Sequence, residues 1–160
     1  MRRDSMNQIL IVAHEPLADA MRQCALHVFP DCGERVLALD VPPQEAPDVT
    51  QQRALELLQR SSADGVLILT DVFGATPSNV VQHLLQSVPQ ATHGMQVRAL
   101  TGLSLPMLLR ATCYAEQALE DLVERAMAGA QQGIMSFAYT PVQNQQRDLP
   151  HDSARHHHQQ

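Results

Sequence analysis

The stretch GVLILTDVFGATPSN, residues 65–79, decides the fold. Its opening segment, Gly65–Thr70, is apolar almost throughout, which is typical of a strand buried on both faces of a parallel sheet. Gly74 then permits a backbone turn that other residues avoid, and Pro77 suits the first position of a helix. The stretch therefore predicts a buried strand, a loop, and a helix that begins at Pro77.

The same alternation of strands and helices continues in both directions from this stretch. The predicted strands are Gln8–Ala13, Arg35–Leu39, Gly65–Thr70, Gln96–Leu100 and Ile134–Tyr139. The predicted helices are Leu17–Val28, Val49–Arg60 with Asp48 as its N-cap, Pro77–Gln86, Leu105–Cys113 and Glu116–Gln131. Repeated strand–helix units predict an α/β fold, with a doubly wound, mostly parallel sheet and helices on both of its faces. The pattern leaves the direction of the last strand open.

The bulk composition restricts the class of function. Residues 1–140 form one predicted domain, and residues 141–160 a disordered Gln/His-rich tail with few apolar side chains. The net charge of −6 and the scattered arginines argue against a nucleic-acid binder. Three cysteines without a CxxC pair predict reduced thiols in the cytoplasm rather than a disulfide framework or a zinc site. The apolar run near the N-terminus is too short for a signal peptide or a membrane span. The tract His156–His158 is interpreted as part of the solvated tail, so no metal or cofactor is predicted.

Polar, titratable side chains directly follow two of the predicted strands. His14 comes after the first strand and Asp71 after the third. If the strand order is 2-1-3-4, these two strands are neighbours about 5 Å apart, and His14 and Asp71 lie within hydrogen-bonding reach. An aspartate that accepts from one ring nitrogen fixes the tautomer and leaves the other nitrogen free as a nucleophile. For each residue taken alone, a loop side chain without a function is the alternative.

The third predicted helix has no acidic side chain in its first turn. Free backbone amides and hydroxyl groups there, at the positive end of the helix dipole, predict an anion site near Thr76 and Ser78. Thr76 is also the predicted cap of this helix, and an ordinary capped helix is the alternative interpretation. An anion site beside a fixed imidazole suits a transferring phosphoryl group. The sequence has no GxxxxGK[ST] motif, so nucleotide hydrolysis is not indicated. The combination of His14, Asp71 and amide donors predicts a phosphohistidine carrier rather than a kinase.

Further loop residues at this edge of the sheet are predicted to form a pocket wall or a partner-binding surface. They are Glu15, Phe73, Gly74, Gly102, Leu103 and Ser104. Gly102 permits a tight turn and Ser104 can cap the fourth helix. A routine strand-to-helix connection is the alternative for the loop that contains them.

At these loops the sequence resembles a known family, the mannose-type (fructose-subfamily) enzyme IIA domain of the phosphoenolpyruvate-dependent sugar phosphotransferase system. The first family motif is a strand that ends in a small residue followed by His. The second reads roughly D-[LTV]-[FW]-G-[GA]-[ST]-P-x-N and the third G-x-[NS]-[LI]-P-M-L. Here the three motifs are Ala13-His14-Glu15, Asp71–Asn79 and Gly102–Leu108, and the resemblance covers about residues 6 to 140.

The resemblance implies a homodimer in which a final antiparallel strand is exchanged between subunits. His14 matches the phosphorylated histidine, which accepts its phosphoryl group from HPr, and Asp71 matches the residue that orients the imidazole. Thr76 and the amides from Ala75 to Ser78 match the groups that hold the phosphate. The implied acceptor is a IIB-type protein.

The sequence also departs from the family pattern. Glu15 stands where Gly is common, Ala75 replaces a second Gly, and Ser78 replaces a bulky apolar residue. No IIB domain follows in the sequence, so we expect a stand-alone carrier that uses the phosphoryl group as a regulatory signal. Two alternatives are the phosphoryl-donor subunit of dihydroxyacetone kinase and a module that binds an anion or a partner and transfers nothing. A hydrolase is disfavoured because no GxSxG elbow or metal triad is present.

Overall fold

The computed structural model describes residues 6–139. Within that range the sheet contains β1 (Asn7–His14), β2 (Val36–Val41), β3 (Gly65–Thr70) and β4 (Gln96–Leu100). All pairings are parallel and the order is β2-β1-β3-β4, which confirms the predicted fold class and strand order. The helices are α1 (Leu17–Val28), α2 (Pro47–Gln59), α3 (Thr76–Ala91), α4 (Leu105–Cys113) and α5 (Leu119–Gln132).

The sheet has a hydrophobic core on each face because side chains alternate along its central strands. Ile9 and Ile11 of β1 pack with α1, α4 and α5, whereas Leu10 and Val12 pack with α2 and α3. All four side chains are fully buried, and each such burial contributes about 1.5–3 kcal/mol. The carboxyl ends of β1 and β3 are therefore held rigidly side by side.

Tertiary pairing moves several of the predicted boundaries. The ladder between β1 and β2 continues as far as the pair His14 and Val41, so β2 lies two residues later than predicted at its carboxyl end. Asp48 is not the N-cap of α2, because the helix already begins at Pro47, a residue suited to the first helical position. The prediction that α3 ends at Gln86 is also wrong: the helix runs past Pro89 to Ala91. Pro89 has no N–H to donate to the Leu85 carbonyl, and only two helical residues follow it.

The predicted strand Ile134–Tyr139 does not form within the described chain. These residues have no partner in the sheet, and the side chains of Ile134 and Phe137 are 86% and 92% exposed. A strand needs an edge to pair with, and after α5 these residues contact no edge of their own sheet. The unpaired edge of β4 lies on the outside of the sheet in residues 6–139.

None of the helices in the described range combines the length and the apolar character needed to cross a lipid bilayer. The predicted tail, residues 141–160, lies outside the described residues.

Candidate functional site

His14 and Asp71 meet at the carboxyl edge of the sheet. His14 is the last residue of β1, and Asp71 directly follows β3, the strand beside it. The His14 Nδ1 atom lies 2.7 Å from Asp71 Oδ2, and the same oxygen accepts a hydrogen bond of 3.0 Å from the backbone N–H of His14. One carboxylate oxygen therefore fixes both the backbone and the ring of the histidine.

This contact determines the tautomer of the imidazole. An ionised carboxylate can only accept hydrogen bonds, so His14 Nδ1 must carry the proton. In the neutral ring the Nε2 atom then has a free lone pair. The side chain of His14 is 51% exposed, so this nitrogen is accessible to a reaction partner.

The hydrogen bonds around Asp71 keep its carboxyl group ionised. Burial alone would raise the pKa of Asp71, whose side chain is only 13% exposed. Hydrogen bonds from the backbone and ring of His14 and from the Val72 backbone N–H outweigh that effect, and the pKa is lowered. Asp71 thus remains an acceptor for the His14 ring at neutral pH.

The hydroxyl group of Ser78 stabilises the loop between β3 and α3 internally. This hydroxyl accepts a hydrogen bond from the Gly74 backbone N–H and donates one to the Ala75 carbonyl, each at 2.9 Å. Gly74 itself has a φ of +87°, a conformation in which side chains are strained. The Ser78 side chain is therefore used within the loop, and its contribution to an anion site would come from its backbone N–H.

The amino end of α3 is open. The helix begins at Thr76, one residue before the predicted start, and its N-cap, Ala75, provides no side-chain hydrogen bond. Thr76 is therefore not the cap of this helix. The first turn contains no acidic side chain, and its backbone N–H groups have no partner within the helix. This combination gives a local positive potential suited to an anion.

The loop between β4 and α4 holds the backbone of Asp71 in place. The backbone N–H of Gly102 donates to the carbonyl of Asp71 at 3.1 Å, and that of Leu103 donates to the carbonyl of Thr70 at 3.0 Å. Ser104 caps α4 as predicted, accepting from the Met107 backbone N–H at 3.3 Å. Gly102 and Leu103 thus hold the end of β3.

The turn between β1 and α1 is held from β2. The backbone N–H of Glu15 donates to the Val41 carbonyl at 3.2 Å. Asp40 Oδ1 accepts from the backbone N–H of Ala18 at 2.8 Å and of Asp19 at 3.4 Å. Asp40 was not among the predicted site residues, because the second strand was predicted to end at Leu39. A carboxylate directly after an apolar strand, as Asp71 also is, was the signal that could have found it.

The surface around His14 is open and partly apolar. Phe73 and Val72 are 70% and 51% exposed, and Leu17 is 37% exposed. Glu15, which directly follows His14 in the sequence, is also exposed. Val72 and Leu17 were not among the predicted surface residues. Two concavities in the described part of the chain lie between α4 and α5 and along α5, and neither is lined by His14. Such an exposed, partly apolar face suits a protein partner better than a small substrate.

Residues 6–139 contain no cluster of three or more His, Cys, Asp or Glu side chains that could bind a metal ion. The chemistry available at this edge is therefore that of an oriented imidazole, one ionised carboxylate and the backbone amides of a helix amino end.

A family model described as "PTS system fructose IIA component" matches residues 8–127. No curated protein sequence matches the chain.

Three solved structures share the fold at low sequence identity. The mannose/sorbose specific IIA subunit of the phosphotransferase system from Enterococcus faecalis has a TM-score of 0.72 and 17% identity, with 86% of this chain and 98% of that chain covered. The phosphotransferase system component EIIA from Streptococcus agalactiae has a TM-score of 0.69 and 24% identity, with coverage of 82% and 97%. The PTS IIA protein associated with the fucose utilization operon of Streptococcus pneumoniae has a TM-score of 0.66 and 20% identity, with coverage of 82% and 93%.

Proposed function

We propose that this chain, which belongs to the family of fructose IIA components of the phosphotransferase system, is a phosphocarrier that accepts and donates a phosphoryl group on His14. The observation that carries the proposal is the 2.7 Å contact between His14 Nδ1 and Asp71, which leaves Nε2 free at the same edge of the sheet as the amino end of α3. The donor is HPr, in its phosphohistidine form. The acceptor is a IIB-type protein or a regulatory target, and the relay operates in the cytoplasm.

The transfer step follows from the orientation of the ring. The Nε2 lone pair of His14 attacks the phosphorus atom of the donor phosphohistidine and forms a new N–P bond. The N–P bond of the donor breaks, and its electron pair returns to the donor imidazole. Asp71 keeps its hydrogen bond to the Nδ1 proton and stabilises the positive charge that develops on the His14 ring.

The amino end of α3 receives the transferred group. The phosphoryl charge is spread over three oxygen atoms in the transition state, so fixed N–H donors stabilise it without reorganising. The backbone N–H groups of Ala75, Thr76 and Ser78 provide those donors in the proposal. The hydrogen bonds of the Ser78 hydroxyl with Gly74 and Ala75 hold these donors in place before the donor protein arrives.

We expect the carrier to act as a homodimer with exchanged C-terminal segments. From Met135 to Tyr139, large apolar side chains alternate with Ser136 and Ala138, and these large side chains are 71–92% exposed in the single chain. The edge of β4 is unpaired within residues 6–139. A segment with a strand pattern and an edge without a partner can satisfy each other between two copies.

The experiment that tests the proposal combines the purified protein with phosphoenolpyruvate, enzyme I and HPr, followed by intact-mass spectrometry. The wild type should gain the mass of one phosphoryl group in an acid-labile form. The His14→Ala variant should gain none. His83→Ala is the matched control, since His83 is an exposed histidine of α3, and this variant should behave like the wild type. Phosphorylated HPr with an unmodified wild-type carrier would refute the proposal.

A further inference from the structure

Helix α1 begins without a capping side chain of its own. Its N-cap residue is Pro16, which has no hydroxyl, amide or carboxylate group with which to accept the amides of the first turn. Asp40, on the neighbouring strand, accepts two of them: the backbone N–H groups of Ala18 and Asp19. A carboxylate from β2 therefore replaces the cap that helices usually take from their own sequence.

The position of this helix start is linked to the nucleophile by a very short connection. Two residues, Glu15 and Pro16, separate His14 from Leu17, the first residue of α1. The Pro16 carbonyl accepts from the Ala20 backbone N–H at 3.1 Å, so the turn is continuous with the helix. A displacement of the helix start therefore moves the backbone on which the His14 ring is mounted.

Asp40 is itself held in place. Its Cα is in register with Ala13 in the parallel ladder between β1 and β2. Its carbonyl accepts from Arg53 Nη1 at 3.4 Å, and that guanidinium group also forms a salt bridge of 2.8 Å with Glu45. The carboxylate that caps α1 is thus attached to the sheet on one side and to α2 on the other.

We propose that Asp40 is a positioning residue for phosphoryl transfer, which fixes the start of α1 and thereby the orientation of His14. The inference rests on the proposed function for its kinetic consequence. The Asp40 oxygen that accepts the Ala18 and Asp19 amides lies at the amino end of α1 and occupies it. With the amino end of α1 occupied by Asp40, the uncapped amino end of α3 is left for the phosphoryl group.

The test compares Asp40→Ala, which removes the acceptor, with Asp40→Asn, which keeps an oxygen at the same place. Asp121→Ala is the control, since Asp121 is an exposed carboxylate in the first turn of α5. Three quantities are measured: hydrogen exchange of the Ala18 and Asp19 amides, the ¹⁵N signals of the His14 ring, and the kcat and KM for transfer from phosphorylated HPr.

In Asp40→Ala, exchange of the two amides should accelerate about fivefold or more, as loss of a helix cap predicts. The kcat for transfer should fall about tenfold with KM nearly unchanged, because a displaced nucleophile loses alignment and not binding. The His14 ring signals should shift. In Asp40→Asn, amide exchange and the kinetic constants should return to within about threefold of the wild type, on the same reasoning. The His14 ring signals should return to their wild-type positions.

Faster amide exchange with wild-type transfer kinetics and unshifted ring signals would overturn the proposal, because Asp40 would then stabilise the helix alone. Equal defects in the Ala and Asn variants would also overturn it, since the oxygen acceptor would not be what matters. If wild-type His14 accepts no phosphoryl group, the proposed function fails. Amide exchange and ring signals still decide in that case whether Asp40 positions His14.

Discussion

The two strand-to-helix connections that flank the site are completed in opposite ways. The turn from β1 to α1 is closed: its helix amides are occupied by Asp40, and its first turn also contains Asp19. The loop from β3 to α3 is open: Ser78 stabilises the loop internally, and no acidic residue enters the first turn of the helix. The closed turn presents the imidazole, and the open loop offers its amides to an anion.

This difference shows that a few polar side chains, and not the fold, decide which helix amino end is occupied and which is free for an anion. Both connections join parallel strands to helices at the same edge of one sheet. Two adjoining helix amino ends would otherwise compete for the same negative charge. Substitutions can either abolish the contrast between the two connections or measure how much each connection contributes to transfer and stability.

The largest expected effect comes from removing the residue that links the two connections. Asp71→Ala deletes the acceptor for both the backbone N–H and the ring of His14, so the tautomer is no longer fixed. We expect the rate of transfer from phosphorylated HPr to fall at least about a hundredfold, as in other sites where an aspartate orients a reacting histidine. Stopped-flow or quench-flow kinetics measure the rate.

Asp48→Ala is the control for that variant, because Asp48 is an exposed carboxylate in the first turn of α2. Its transfer rate should equal that of the wild type. An Asp71→Ala protein that still transfers at the wild-type rate would show that the His14–Asp71 contact has no role in the reaction.

A second prediction makes the open connection resemble the closed one. Thr76→Asp places a carboxylate on the first residue of α3, where the wild type has none. The helix should become more stable by about 0.3–1 kcal/mol, because the new charge complements the helix dipole. Phosphoryl acceptance should fall about tenfold, since that charge repels the incoming phosphoryl oxygens at the same end.

Opposite signs of the two effects are the specific expectation, measured by denaturant unfolding and by transfer kinetics. Thr76→Asn is the control, because asparagine is neutral and nearly isosteric with aspartate. This variant should keep most of the transfer rate. A Thr76→Asp protein that transfers as fast as Thr76→Asn would mean that the phosphoryl group does not approach α3.

A third prediction separates the shape of the open loop from its stability. Gly74 and Gly94 have φ angles of +87° and +85°, and a Cβ at either position would meet no other atom within 4 Å. Replacing either by alanine should therefore destabilise the fold by a similar amount, about 1–2 kcal/mol from backbone strain alone. Gly94 lies between α3 and β4, at the opposite end of the α3 helix.

Only Gly74→Ala should also slow phosphoryl transfer, by a few-fold, because Gly74 donates to Ser78 in the loop that holds the α3 amides. Thermal unfolding and transfer kinetics of the two variants test this pair. Equal slowing in both would attribute the effect to stability and remove the special role of the loop.

The smallest expected effect is a pH dependence. The pKa of Asp71 is lowered in the folded protein from an ordinary value of 3.8, so its contacts stabilise the fold fully above that value. This contribution is lost as the pH falls through the lower, folded pKa. The difference in unfolding free energy between the wild type and Asp71→Asn should therefore be constant near neutral pH and shrink below about pH 4.

Denaturant titrations from neutral to acidic pH measure this difference. Glu45 provides the internal comparison, since a hydrogen bond from the Thr50 hydroxyl lowers its pKa from 4.5, and the loss of its contribution should not depend on residue 71. A difference that grows on acidification would mean that Asp71 is protonated more easily in the folded state than in the unfolded one.

Much of the fold could be predicted from local sequence signals. The limits of α1, β3, β4 and α4 agree with the prediction because apolar runs, Ser104 and prolines define them within a few residues. The end of β2 could not be predicted in this way, because it depends on the ladder with β1. Whether residues 134–139 form a strand depends on an edge that the single chain does not supply.

The candidate site was predictable in its main pair and not in its supporting contacts. His14 and Asp71 follow apolar strands, so a strand order was sufficient to bring them together. The use of Ser78 within its loop depends on the backbone path around Gly74, which no residue pattern specifies. The contact between Asp40 and Ala18 joins residues 22 positions apart and requires the register of two strands.

The half-exposed ring of His14 affects the lifetime of a phosphorylated form as well as its access to partners. In the proposed function, the phosphoryl group is carried on a side chain that is 51% exposed. Bulk water reaches the N–P bond whenever no protein covers it, so the charged carrier has a finite lifetime. In the proposed function, the fraction of molecules that carry the group at any moment is set by three rates: loading by the donor, unloading by the acceptor, and hydrolysis in between.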